Sequence, residues 1–258
     1  MAVTLDQIKE LRVMTGVSMM ACKKALEEAD GNMEKAIDIL RKKGEAKAVD
    51  RAARVTNQGV VAIKCEGKKA AMVKLLCETD FVSRSDEFVA IADKLADKLF
   101  KGEIKEDEKD VQEVKDSALK TGENIQVGEM KVVEGEKLGV YVHSNKKIGV
   151  IVVLSGGDEG VAKDVAMQVA ATNPVCISPD EVPQEAVDKE KEIWKEQLAN
   201  EGKPEAIVEK IMIGKEKKFR EENALIKQLF VKDNEKTVEQ LLAANGGMKV
   251  EKFVRMAI

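Results

Sequence analysis

Aromatic residues are scarce in this chain: one tryptophan, one tyrosine and six phenylalanines in 258 residues. Proteins that hold nucleic acid lean on aromatic stacking and a basic excess, and a formal net charge of -4 supplies neither. No direct nucleic-acid partner is therefore expected. There is one histidine, His143, and the four cysteines, Cys22, Cys65, Cys77 and Cys176, lie far apart without CxxC spacing, which excludes a recognisable zinc site. Scattered thiols of this kind read as small buried hydrophobes in a reduced, cytoplasmic setting. No run approaches the roughly 20 apolar residues of a membrane span, and "MAVTLDQIKELR" carries no apolar targeting segment. GxxxxGK[ST] and GxGxxG are both missing, so no nucleotide, cofactor or metal is expected on the chain itself. Nothing assembles a nucleophile, a base and an oxyanion donor, which argues against an enzyme.

What the chain does have is charge of both signs, 35% of residues, beside 44% apolar ones. That mixture predicts a helix-rich globular protein of two or three units. In the first of these, residues 1–54, Thr4 and Gln7 form a capping-box pattern ahead of an apolar face of Leu5, Ile8, Leu11 and Met14 that stops near Gly16. Ser18 caps a second helix, which ends at Asp30 and Gly31. A third carries Met33, Ala36, Ile37 and Leu40 as far as Gly44, leaving residues 43–54 as a charged connector. Two adjacent residues cannot both face inward, so one of Met19 and Met20 is core and the other an exposed contact. The basic residues here, Lys23, Lys24, Lys35, Arg41, Lys42, Lys43, Lys47, Arg51 and Arg54, alternate with acids, as on a solvated face.

After residue 57 the period shortens to that of strands. "GVVAIKCEGKKAAMVKLL" (59–76) is echoed by "GVYVHSNKKIGVIVVL" (139–154), and "IADKLA" (91–96) by "VAMQVA" (165–170). The reading is a hairpin followed by a helix, used twice: α+β, with two related antiparallel-sheet subdomains, 55–138 and 139–258, each carrying helices on one face. An antiparallel helical hairpin interrupts the second at about 183–223, with Gly202 ending one helix and Pro204 opening the next. A strand, a helix over 237–244 and a final strand close the chain. His143, placed on the first strand of the second copy, has no acid or thiol partner in sequence and reads as a satisfied residue before it reads as a base.

The two copies differ between their last strand and their helix. The first has "CETDFVSRSDEFVA" where the second has the shorter "SGGDEGVAKD", and the extra loop is dispensable to the scaffold. Loops on rigid frames are where recognition sits, so Thr79, Asp80, Phe81 and Val82 lead the functional candidates. Phe81 is either an anchor in the core or a ring held out for a partner, and sequence leaves both open. Asp80 can cap a turn, and Ser83 or Ser85 can cap the next helix.

With those residues in view, the chain resembles the bacterial translation elongation factor Ts family. "IKELRVMTGVSMMACKKALEEADGNMEKAIDILRKKG" is similar to that family's opening signature and "CETDFVSRSDEF" to its second. "TGENIQV", "KPEAIVEKIMIGKEKKF" and "KTVEQLL" follow in the family's order. The resemblance implies a guanine-nucleotide exchange factor that binds elongation factor Tu, both GDP-bound and nucleotide-free. It implies a ubiquitin-associated-like three-helix bundle at the N-terminus that docks on the G domain of Tu. It also implies a loop of Thr79, Asp80, Phe81 and Val82 that displaces magnesium from the Tu nucleotide site, with Phe81 as the wedge. Met19 and Met20, His143, and Gly122 with Asn124 correspond to further contacts on Tu. Thr121 stands where some members carry isoleucine before "GEN", replacing an apolar contact. Longer members continue past "FVRMAI" into another helix, so docking here is expected to rest on the N-terminal unit and the Phe81 loop. A homodimer through the helical hairpin and an RNA-binding accessory role stay open as rival readings.

Overall fold

The computed structural model describes residues 3–15, 18–52, 54–201 and 204–258, and for residues 13, 14, 44–52, 205 and 206 it describes the backbone alone. Met14 as a core side chain, the stops at Gly16 and Gly202, and the side chains of Lys47 and Arg51 lie outside the described residues. The chain opens with α1 (Leu5–Thr15), α2 (Met19–Glu28) and α3 (Met33–Ala52). The Thr4 amide donates to the Gln7 side chain at 3.0 Å, and the Gln7 amide donates to the Thr4 hydroxyl, so the capping box forms. Ser18 caps α2 through the Ala21 amide, and Asp30 and Gly31, both at positive φ, end it. Ile8, Leu11, Cys22, Ala25, Leu26, Ala36 and Leu40 make a small core of their own. One expectation changes here: α3 runs through Gly44 to Ala52 instead of yielding to a connector. The stretch "EAKAVDRA" carries three alanines with Glu, Lys and Arg, strong helix formers that outweigh the roughly 1 kcal/mol that one interior glycine costs.

The first sheet has the strand order β1-β2-β3. β1 (Gln58–Glu66) and β2 (Lys69–Cys77) are joined by Gly67, at φ 58, and Lys68, a two-residue connection of the kind that suits the twist of a hairpin. Then come α4 (Asp80–Ser83), α5 (Asp86–Lys101), α6 (Gln112–Thr121) and β3 (Gln126–Glu134). On α5, Phe88, Ala92, Leu95, Ala96 and Leu99 fall on one stripe and pack on Val60, Ala62, Val73 and Leu75 of the strands. The helix ends at Gly102 in the left-handed region, whose amide, with that of Glu103, takes up the last carbonyls.

The second sheet has the order β4-β5-β8. β4 (Lys137–Val142) runs antiparallel to β5 (Ile148–Leu154), pairing Gly139 with Val152. α7 (Glu159–Thr172) follows, and a Cβ on Gly139 would lie 2.0 Å from the Ala162 carbonyl oxygen, so the helix rests on strand backbone where only glycine fits. After α7 come α8 (Gln184–Asn200), α9 (Glu205–Asn223), the short pair β6 (Leu229–Phe230) and β7 (Asp233–Thr237), α10 (Val238–Ala244) and finally β8 (Val250–Ala257). Strand, strand, helix, strand therefore occurs twice. In the second occurrence a pair of long helices, a small hairpin and α10 come between the helix and its third strand. Pro204 sits just before the first residue of α9, one position earlier than expected.

Trp194 of α8 meets Phe219 of α9 edge-on at 5.8 Å. Glu216 binds Lys191 at 2.7 Å and Arg220 at 3.0 Å, and these cations hold its carboxyl below the usual carboxylate range. Gln168, fully buried on α7, donates to the Leu229 carbonyl and accepts from the Val231 amide, fixing the small hairpin. By contacts the chain divides into a unit of residues 1–64, 71–132 and 257–258 and a unit of residues 65–70 and 133–256. The architecture is α+β, of mixed helices and antiparallel sheet.

Candidate functional site

β2 ends at Cys77, buried in the first core, and residues 78–85 separate it from α5. This connection is a turn of helix instead of the loop expected. Thr79 has extended backbone and its hydroxyl accepts from the Val82 amide, so it acts as the N-cap of α4. The Ser83 and Arg84 amides return to the Thr79 and Asp80 carbonyls at 3.2 and 3.1 Å. Ser85 then caps α5 by accepting from the Phe88 amide, while its hydroxyl donates to the Val82 carbonyl at 2.8 Å. Two N-caps six positions apart make a tight helix-to-helix step.

A single helical turn points successive side chains about 100° apart, and here the phase is set by burial. Val82 packs against the first core and Ser83 is 3% exposed, which leaves Phe81 facing outward. Phe81 is 85% exposed, the most exposed large apolar side chain among the described residues. The core-anchor reading of Phe81 is thereby excluded. Asp80, beside it, pairs with Arg84 at 3.3 Å.

The turn is held from a distant part of the chain. The Glu123 carboxylate accepts from the Glu78 amide at 3.1 Å, the Thr79 amide at 3.2 Å and the Thr79 hydroxyl at 2.6 Å. In return the Glu78 carboxylate accepts from the Asn124 amide at 2.6 Å and from Arg54 at 3.4 Å. Asn124 is buried, and its side-chain amide donates to the Arg54 carbonyl at 2.8 Å. Gly122, at φ 76, ends α6, and the Thr121 hydroxyl accepts from the Glu123 amide at 3.3 Å. The structure thus brings Thr79, Asp80, Phe81 and Val82 together with Gly122 and Asn124, two groups that sequence analysis named separately. Sequence reasoning missed Glu123 and Glu78, and treated Arg54 only as one charge of a basic series. The one signal for Glu123 was its place between Gly122 and Asn124.

The remaining candidates lie on other elements. Met19 is part of the three-helix core and Met20 is 67% exposed, the split that adjacency requires. His143 is exposed and lies just past the end of β4 instead of on it; its amide still reaches the Ile148 carbonyl, and its Nδ1 is 3.0 Å from the Tyr141 hydroxyl. Lys23 pairs with Glu27 and Lys43 with Glu28, so part of the basic series on the three-helix unit is neutralised. Among the described residues no three histidine, cysteine or carboxylate side chains gather as a metal site, and no helix is long and apolar enough to cross a membrane. The Phe81 ring thus stands outward on a turn held by polar bonds.

Residues 78–258 match the family described as Elongation factor TS. The elongation factor Ts of Hydrogenobaculum sp. is 43% identical over 273 residues, spanning all of this chain and 99% of the relative. That of Hydrogenovibrio crunogenus is 44% identical over 272 residues, covering all of this chain and 92% of its own length. That of Deinococcus radiodurans is 44% identical over 268 residues, 98% of this chain and 99% of the relative. A turn built around an exposed phenylalanine within a match of this extent leads to one conclusion: the chain belongs to the elongation factor Ts family.

Proposed function

We propose that this protein is a guanine-nucleotide exchange factor for elongation factor Tu, acting in the cytoplasm during translation elongation without catalytic residues of its own. The observation that carries the reading is Phe81, 85% exposed on a doubly capped turn whose base is fastened by Glu123. An apolar ring of that size is costly to leave in water and contributes roughly 1.5–3 kcal/mol once a partner covers it. In this reading the three-helix unit of residues 1–54, a ubiquitin-associated-like bundle, docks on the G domain of Tu through the exposed Met20, with Met19 packed beneath it in the core of the unit. The related subdomains 55–138 and 139–258, the second with its helical insertion at about 183–223, present the Phe81 turn and His143.

The mechanism is linkage, not bond chemistry. A factor that binds empty Tu more tightly than GDP-bound Tu weakens GDP by the same ratio by which GDP weakens the factor. A magnesium ion and backbone amides neutralise the phosphates of bound nucleotide, so a ring driven between them raises the electrostatic cost of keeping GDP. Thr79, Asp80, Phe81 and Val82 form the wedge, and GTP reloading follows once the site is empty. The test is release of a fluorescent GDP analogue from purified Tu, with and without this protein, across a series of magnesium concentrations. Acceleration that shrinks for Phe81→Ala supports the reading. Release that is no faster with the protein than without it overturns the reading.

A further inference from the structure

We propose that Glu123, with Asn124 and Glu78, is a positioning clasp that sets the Phe81 turn in its partner-ready geometry before any partner arrives. This inference rests on the exchange reading above. A four-residue helix cannot hold itself together, because nucleation fixes several dihedrals for one backbone bond. Something outside the turn must therefore define it. Val82 and Ser83 supply packing on one side. The other side is polar, and there the Glu123 carboxylate accepts three bonds from Glu78 and Thr79.

The Thr79 hydroxyl is the pivot. It has one hydrogen, which it donates to Glu123 at 2.6 Å, and its lone pairs are then left to accept from the Val82 amide. Donation to a carboxylate fixes the rotation of the hydroxyl and so strengthens its capping of α4. The exchange is reciprocal: the Glu78 carboxylate holds the Asn124 amide, so residues 78–79 and 123–124 each grip the other's backbone. The Arg54 side chain and carbonyl join the same knot, bringing in the chain just beyond α3. Glu123 acts on Phe81 through Thr79. Its role is preorganisation, in which a side chain already ordered loses less freedom when it binds.

The test is a double-mutant cycle on the full chain. Glu123→Gln keeps the size of the side chain and turns an amide group toward the donors of residues 78 and 79. We expect its maximal rate of GDP-analogue release from Tu to fall about ten-fold, with circular dichroism and melting close to wild type. In the Phe81→Ala background the same substitution should slow release no further, because the clasp has lost the ring it positions. An equal slowing in both backgrounds overturns the inference and leaves the exchange reading standing. If the wild-type chain does not accelerate release, the exchange reading falls and this inference falls with it. Hydrogen exchange on the free protein adds an independent arm: the Val82 and Ser83 amides should exchange about ten-fold faster in Glu123→Gln, and unchanged protection there overturns the clasp whatever Tu does. Should Glu123→Gln fail to fold, Thr79→Val removes the pivot hydroxyl while keeping Glu123, and the same pattern is required of it.

Discussion

The first sheet takes residues 78–85 to pass from β2 to α5, and the second makes the corresponding passage from β5 to α7 in residues 155–158. The short version is closed down. The Ser155 amide donates to the Lys249 carbonyl at 3.0 Å, the Lys249 amide returns to the Ser155 hydroxyl at 2.9 Å, and Gly157, at φ 98, lies where a Cβ would meet the Met248 side chain. The long version projects instead, with a helical turn, two caps and an exposed phenylalanine. One scaffold thus carries two solutions to the same join. The short one is tied back onto residues 248 and 249, and the long one is fastened mainly by polar bonds that leave an apolar ring free. Alterations at the first should show in stability, and alterations at the second in binding.

The sharpest way to probe that division is Phe81→Ala. The ring contributes little to its own core, so melting should be unchanged while GDP release from Tu slows by about 10–100-fold in stopped-flow measurements. A drop in melting temperature without a change in release would break the comparison. Gly157→Ala is the converse: placing a side chain at φ 98 against Met248 should cost about 2 kcal/mol in urea unfolding and leave the exchange rate near wild type. Next comes acid, which should strike the first half. The Lys98 hydrogen bond, then the backbone amide of Glu113 and Lys94, lower the Glu113 carboxyl from 4.5 to about 2. A depressed carboxyl adds stability above its unfolded pKa, and that contribution drains away as pH falls from about 4.5 through 2. Glu113→Gln should therefore cost about 1–2 kcal/mol at pH 7, allowing for solvent screening, with the gap to wild type closing near pH 2 in thermal melts. Smallest is Val82→Ala, the residue that belongs to both regimes: about 1 kcal/mol of stability lost and a slowing of release milder than that of Phe81→Ala.

What could be read in advance was what is local. The Thr4 capping box, the Ser18 cap, the Asp30–Gly31 stop and the helix opening at Thr237 are each decided by residues within a few positions of one another. Phe81 was legible as an anomaly, an apolar ring in a polar connection, though only burial could say which way it faced. α6 and β3 were not read at all. The cap position of α6 is Val111, which makes no side-chain bond, and the helix buries only Val114 and Ser117. In β3 the buried residues are Val127, Met130 and Val133, spaced by three instead of two, so the alternation that marks a strand is absent. Glu123 escaped for a different reason: its partner Thr79 is 44 residues away, and one carboxylate among many does not announce a distant hydroxyl.

The placement of β8 has a consequence for how the molecule is made. A ribosome delivers the chain from its N-terminus at about 5–20 residues per second. The strands β1, β2 and β3 with α5 and α6 have all been delivered by Glu134, so the first sheet can close early on the nascent chain. β5, by contrast, must wait with one edge unpaired while α8, α9, β6, β7 and α10 are synthesised, because its neighbour β8 is Val250–Ala257. An unpaired edge of Val150, Ile151, Val152 and Val153 is the kind of surface on which nascent chains aggregate. The second sheet is therefore the later of the two three-stranded sheets to complete its pairing as the chain is made.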